Sequence, residues 1–162
     1  AMVVAGLGLL VNVVVARTFS KVHGMAGMRL GYAVASPERA QAMRERSSWA
    51  NVNVAVARAG VASLRDAGHV GRTAARLNAT RRRLCEQLER DGRRFIPSHA
   101  NFVMVHVGRD VGPVVEAFRE RGILVGRRFA AMPQWLRVSV GTEEETDAFL
   151  AALRAIVPAR PA

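Results

Sequence analysis

The chain has 162 residues, a length that suits one ordinary domain or a part of a larger protein. Hydrophobic residues make up 50% and charged residues 23%, proportions that exclude a disordered tail and a membrane-embedded protein. The formal net charge of +11 at pH 7 suggests nucleic acid or another anionic surface as a partner. The single cysteine, Cys85, excludes a disulfide within the chain and fits a reducing cytoplasm.

The first segment is apolar from Ala1 to Val15 and is interrupted only by Asn12. It is shorter than the roughly 20 residues of a membrane-spanning helix, and it lacks the basic region that opens a signal peptide. Its β-branched residues predict a buried parallel strand at about Asn12 to Ala16. Because position 1 is not Met, we expect the chain to begin inside a longer gene product.

The segment after this strand holds the only lysine of the chain, Lys21, among 24 Lys and Arg residues. A guanidinium stays charged and cannot form an imine, so an arginine-rich protein would keep a lysine where the amine itself must react. The neighbouring hydroxyls of Thr18 and Ser20, with the guanidinium of Arg29, can hold a phosphate. An aldehyde cofactor that also bears a phosphate needs both features, and pyridoxal phosphate is such a cofactor.

Helices and strands follow in alternation over the rest of the chain. Predicted helices cover about 36–47, 53–66, 69–91, 111–121 and 142–157, and predicted strands cover about 30–35, 93–97, 100–107, 123–127 and 136–140. The pattern predicts an α/β fold. Two strands alone do not make a stable parallel sheet, so we interpret residues 1–45 as the end of a larger domain. Residues 46–75 are then connecting helices, and residues 76–162 form a small α/β domain.

Two kinds of site are not expected. The four histidines lie far apart in the sequence, and none pairs with a cysteine or carboxylate at the spacing of metal ligands, so we predict no metal site. Cys85 lies in a segment with helical apolar spacing, which is typical of a packed and inert thiol.

The residues from Thr18 to Tyr32, T-F-S-K-V-H-G-M-A-G-M-R-L-G-Y, resemble the cofactor-lysine signature of the class I/II aminotransferases. These are pyridoxal-phosphate enzymes of the aspartate aminotransferase fold type. Three downstream segments resemble the histidinol-phosphate aminotransferase branch: N-F-V at 101–103, R-G-I-L-V-G-R at 121–127 and L-R-V-S-V-G-T-E-E-E at 136–145. The resemblance covers about residues 12–156. It implies the C-terminal portion of this fold, namely the end of the large-domain parallel sheet and the small α/β domain.

The resemblance also implies roles for the residues around the lysine. Lys21 would bind the cofactor covalently and later move the proton between the substrate Cα and the cofactor C4′. Ser20 and Arg29 would bind the cofactor phosphate, with support from Thr18.

Two further arginines are implied as substrate ligands. Arg137 would clamp the substrate carboxylate, a task suited to a bidentate guanidinium. Arg127, or with less support Arg128, would bind the second anionic group, which in histidinol phosphate is the phosphate. The implied reaction is transamination between histidinol phosphate and 2-oxoglutarate, in a cytoplasmic homodimer that takes small amino and keto acids.

The family also uses an Asp on the cofactor's pyridine nitrogen and a Tyr near its phenolic oxygen, both upstream of the lysine. Residues 1–12 contain neither residue type, so we expect the chain to be inactive without the other portion of the enzyme.

Two alternatives remain. Another class I/II enzyme would share the lysine motif, such as an aromatic aminotransferase or a threonine-phosphate decarboxylase. A nucleic-acid-binding module would instead use the arginine excess. The arginines concerned are Arg72, Arg76, Arg81, Arg82, Arg83, Arg90, Arg93 and Arg94. The helical spacing of Arg76, Arg83 and Arg90 is also typical of an ordinary solvated helix face, and no aromatic residues are interleaved.

Overall fold

The structure, a computed structural model, describes residues 13–48 and 51–158. The chain divides into two compact units, Ala1–Thr73 and Ala74–Ala162. Within the described ranges, no helix is long and apolar enough to cross a membrane, and no group of three His, Cys, Asp or Glu side chains could hold a metal ion. The roles assigned above to residues 1–45, 46–75 and 76–162 stay predictions.

The first unit contains a two-stranded antiparallel sheet. Strand β1, Val15–Thr18, pairs with β2, Gly31–Val34, in a register that sets Thr18 opposite Gly31. Within the described residues, the prediction that the first strand is parallel and buried is therefore wrong. Parallel neighbours need a crossover connection, usually a helix, whereas the chain after β1 turns straight back and three of the four β1 residues are exposed. The part of the predicted strand before residue 13 lies outside the described residues.

Local capping residues set the first two helices. Helix α1, Pro37–Glu45, begins at Ser36, whose hydroxyl accepts a hydrogen bond from a backbone N–H of the first turn. Helix α2, Val54–Arg65, begins at Asn53, whose side-chain oxygen lies 2.8 Å from the backbone nitrogen of Ala55. Both predicted starts are confirmed. Helix α3 covers His69–Arg90 and contributes its first residues to the first unit and the others to the second.

The second unit is built on a three-stranded antiparallel sheet in the order β3-β4-β5. The strands are β3, Phe95–Ile96, β4, Phe102–His106, and β5, Trp135–Ser139. Helix α4, Val111–Arg119, and helix α5, Glu143–Ile156, complete the unit. The mixed helix and strand content predicted for residues 76–162 is confirmed.

Strand alternation separates a buried face of this sheet from a partly exposed one. Val103 and Val105 on β4 and Leu136 and Val138 on β5 are buried. The core they share with the helices is Leu84, Leu88, Val107, Val111, Val114, Phe118, Phe149, Leu150, Ala152 and Leu153. The rings of Phe118 and Phe149 stack with centroids 5.3 Å apart. Cys85 packs against this core, and burial raises the pKa of its thiol, in agreement with an inert cysteine.

The predicted strand at 123–127 is wrong, since these residues form no ladder. Their backbone contact with β5 is one hydrogen bond, from the N–H of Gly126 to the carbonyl oxygen of Arg137 at 2.8 Å. Ile123 and Val125 pack against the core. Their alternation therefore reflects core packing and not strand pairing.

The start of α4 gives a prediction on stability. The carboxylate of Asp110 accepts a hydrogen bond from the backbone N–H of Gly112 at 2.8 Å and pairs with the Arg128 guanidinium at 2.7 Å. These two partners hold the pKa of Asp110 below its usual value. We expect Asp110→Ala to lower Tm at pH 7 by roughly 5 °C, the effect of a lost N-cap.

Because the folded-state pKa of Asp110 is lowered, its stabilisation is present at neutral pH and is lost as pH falls through that pKa. Asp110→Asn keeps a capping oxygen and loses the ion pair, so its Tm should lie between those of the wild type and Asp110→Ala at pH 7. Thermal melts at pH 7 and at pH 2 to 3 measure this. Equal Tm values for the wild type and Asp110→Ala at pH 7 would contradict it.

Candidate active site

The connection from Phe19 to Leu30, here called the lysine loop, is closed at its base. The backbone N–H of Phe19 donates to the carbonyl oxygen of Leu30 at 3.1 Å, next to the Thr18–Gly31 pair of the sheet. The Phe19 ring is buried, and the backbone carbonyl oxygen of Phe19 accepts a hydrogen bond from the N–H of Met25. The backbone directly before Ser20 and Lys21 is therefore held in place by these contacts.

Lys21 is exposed and is the first residue of a tight turn. Its carbonyl oxygen accepts a hydrogen bond from the N–H of Gly24 at 2.9 Å, and Gly24 has φ +67°, a conformation that glycine adopts without strain. The Lys21 amine forms no ion pair with a carboxylate in the part of the chain that the structure describes. The exposed lysine is thus accessible to a ligand.

The three predicted phosphate ligands flank this lysine. The hydroxyl oxygen of Thr18 accepts the backbone N–H of Ser20 at 3.0 Å and keeps its own O–H as a donor. Arg29 lies at the end of a 3₁₀ turn, Ala26–Met28, with φ 55°. One of its N–H groups donates to the carbonyl of Ala26 at 2.8 Å, which leaves four others.

This donor set fits pyridoxal phosphate. Two hydroxyls and a guanidinium are hydrogen-bond donors for a phosphate, and the primary amine is the group that an aldehyde requires. All four side chains come from the lysine loop or the strand residue before it, so they belong to one short segment of the chain.

Arg137 lies on β5, on the sheet face opposite the core. Its guanidinium lies 4.2 Å from the centroid of the Phe102 ring on β4, a cation–π contact. No carboxylate among residues 13–48 and 51–158 forms an ion pair with it. A planar fork held on a ring and free of carboxylates suits a ligand carboxylate.

The two candidates at 127 and 128 differ in their contacts. Arg128 pairs with Asp110 at 2.7 Å, whereas the Arg127 guanidinium lies 5.2 Å from the centroid of the Phe129 ring. Arg127 directly follows Gly126, which is bonded to the backbone of Arg137 and packs so closely that a Cβ would lie 2.7 Å from the Arg137 carbonyl oxygen. The structure therefore brings Arg127 and Arg137 into one region of the second unit.

The contact of Phe102 with the candidate ligand Arg137 was not predicted from the sequence. The pairing of Phe102 with Ser139 and of Met104 with Arg137 sets Phe102 and Arg137 diagonally on one face. The alternation in both segments predicts which residues of each strand share a face. That Phe102 and Arg137 are neighbours depends on the register of β4 and β5, which the sequence does not give.

The aminotransferase class I and II family model matches residues 2–153. The chain belongs to the class I and II aminotransferases. The predicted α/β fold class is confirmed by solved structures of aminotransferases. One of them is the histidinol-phosphate aminotransferase from Sinorhizobium meliloti in complex with pyridoxal-5′-phosphate. It matches 91% of this chain and 41% of its own, with a TM-score of 0.80 and 28% identity.

Curated relatives carry the same name. The histidinol-phosphate aminotransferase of Symbiobacterium thermophilum is 42% identical over 145 residues, which are 89% of this chain and 40% of that protein. Histidinol-phosphate aminotransferase 2 of Methylococcus capsulatus is 41% identical over 155 residues, which are 94% of this chain and 42% of that protein. This aminotransferase chain thus spans about two fifths of the length of the curated relatives it matches.

The structure also argues against the hypothesis of a nucleic-acid-binding module. Four of the eight arginines concerned are held by contacts within this aminotransferase chain. Arg72 pairs with Asp66, Arg81 donates to the Ala100 carbonyl, Arg83 pairs with Asp147 and Arg93 donates to the Val157 carbonyl. Side chains engaged in this way are poorly placed to track a phosphate backbone.

Proposed function

We propose that this chain is the C-terminal portion of a pyridoxal-phosphate-dependent histidinol-phosphate aminotransferase. The carrying observation is the lysine loop, in which the only lysine of the chain is exposed beside two hydroxyls and a guanidinium. The names of the relatives, at 36 to 42% identity for the first three, support the substrate.

In this proposal the chain's residues bind and orient the reactants. Ser20, Arg29 and Thr18 hold the cofactor phosphate, and Lys21 binds the cofactor and transfers the proton from the substrate Cα. When bound, pyridoxal phosphate supplies an aldehyde and an electron-accepting ring. The rest of the enzyme supplies the Asp and Tyr that act on that ring, so the chain alone should lack turnover.

The second unit would recognise an anionic group on each of the substrates. Arg137 binds the carboxylate of glutamate or 2-oxoglutarate, and Arg127 binds the phosphate of histidinol phosphate. We place the enzyme in the cytoplasm, in keeping with its single cysteine, and we propose a homodimer by analogy with the resemblance stated above.

The experiment that tests the proposal measures amino transfer from histidinol phosphate to 2-oxoglutarate by the whole protein that contains this chain. Arg127→Ala should raise KM for histidinol phosphate by roughly 10- to 100-fold, the effect of losing a charge-assisted hydrogen bond. It should leave KM for unphosphorylated histidinol unchanged.

Arg128→Ala is the matched control, because Arg128 already pairs with Asp110. Its KM for histidinol phosphate should stay near that of the wild type. Failure of the wild type to transfer the amino group of histidinol phosphate would overturn the substrate. Equal KM increases in both variants would overturn the role of Arg127.

A further inference from the structure

His69, the first residue of α3, forms a hydrogen bond with the backbone of the lysine loop. The Nε2 atom of His69 lies 2.7 Å from the carbonyl oxygen of Val22, the residue directly after Lys21. A carbonyl oxygen only accepts, so Nε2 carries the proton in this contact. The bond ties the loop to a residue 47 positions further along the chain.

His69 is itself fixed at the start of its helix. Its backbone N–H lies 3.1 Å from the Oδ1 atom of Asp66, and Asp66 forms an ion pair with Arg72 at 3.1 Å. The imidazole therefore projects from a capped helix terminus.

Ring packing also connects the lysine loop to His69. The His23 ring lies between Phe19 and His69, with centroid distances of 5.0 Å and 5.7 Å. The His23 Nδ1 atom is buried without a hydrogen-bond partner among the described residues, so packing and not polar bonding sets this ring. The packing of the Phe19 ring holds the backbone before Ser20, and the hydrogen bond from His69 to the Val22 carbonyl holds the backbone after Lys21.

We propose that His69 is a positioning residue for Lys21. By fixing the Val22 carbonyl, it sets the direction in which the Lys21 side chain leaves the loop, without touching any reacting atom. The proposal rests on the proposed function of Lys21 as the cofactor-binding amine.

The test compares three variants of the whole protein that contains this chain. His69→Leu removes the donor at similar volume, and His69→Gln keeps an N–H near the position of Nε2. Arg72→Ala is the matched control, because it removes the ion pair to Asp66 and leaves in place the Asp66 cap on the His69 N–H and the His69 bond to Val22.

The first readout is amide hydrogen exchange of Gly24 and Met25 without cofactor, since both amides bond to carbonyls of the loop. We expect about 5- to 10-fold faster exchange in His69→Leu, the effect of one lost hydrogen bond. We expect wild-type rates in Arg72→Ala and near wild-type rates in His69→Gln.

The second readout is amino transfer, together with the yield of borohydride-stable pyridoxyl adduct on Lys21. His69→Leu should lower kcat and the adduct yield while KM for glutamate stays unchanged, and His69→Gln should recover both. If His69→Leu behaves like Arg72→Ala, or if His69→Gln gives no recovery, the positioning role is overturned. If the wild type itself gives no adduct on Lys21, the proposed function fails instead.

Discussion

Lys21→Arg is expected to lower amino-transfer turnover on the order of 10⁴-fold, the upper end of what one positioned acid–base group contributes. Arginine keeps the positive charge and nearly the length of the lysine, so phosphate attraction in the lysine loop should persist. A guanidinium cannot release a proton at physiological pH and cannot bind an aldehyde covalently. The loss would therefore report the chemistry of the amine and not its charge.

The measurement is the rate of amino transfer by the whole protein, with peptide mapping of the borohydride-stable adduct. The double variant Lys21→Arg with Arg82→Lys serves as the control, because it moves a lysine to an exposed position on α3. It should regain neither turnover nor the adduct. Turnover above a tenth of the wild-type value in Lys21→Arg, or an equal adduct on the lysine at position 82, would contradict the role of Lys21.

Phe118→Ala is expected to destabilise the second unit by about 3 to 5 kcal/mol, the range for a buried Phe truncated in a packed core. Phe118 has 0% of its surface exposed and stacks on Phe149, so its removal leaves a cavity between α4 and α5. Amide hydrogen exchange of Val103 and Val105 measures this locally. Both amides should exchange about 10²- to 10⁴-fold faster if they open with the unit.

Leu124→Ala is the matched control for that truncation. Leu124 belongs to the same unit but is 86% exposed, so its loss should change stability by less than about 0.5 kcal/mol. Similar exchange rates in the two variants would show that the core around Phe118 does not hold the unit together.

Helix ends could be predicted from the sequence because their causes are local. Ser36, Asn53 and Thr142 each cap a helix through a backbone N–H two or three residues ahead. Strand partners are not local, and both strand errors have this origin. The first strand has an antiparallel partner, and residues 123–127 have apolar alternation without a ladder.

The same distinction applies to the candidate site. Thr18, Ser20, Lys21 and Arg29 fall within one short segment, so their grouping was readable from spacing. The Phe102 ring under Arg137 and the His69 bond to Val22 join residues far apart in sequence, and no single segment carries them. The choice between Arg127 and Arg128 depended on the position of Asp110, which is equally remote.

The contact of Arg137 with the Phe102 ring lowers the conformational entropy of the arginine side chain in the folded protein. A free arginine side chain loses about 2 kcal/mol of rotamer entropy when a ligand immobilises it. Here the ring already restricts the guanidinium before any carboxylate arrives. If Arg137 binds the substrate carboxylate as proposed, part of that loss is incurred on folding and the affinity for the carboxylate is higher by the same amount.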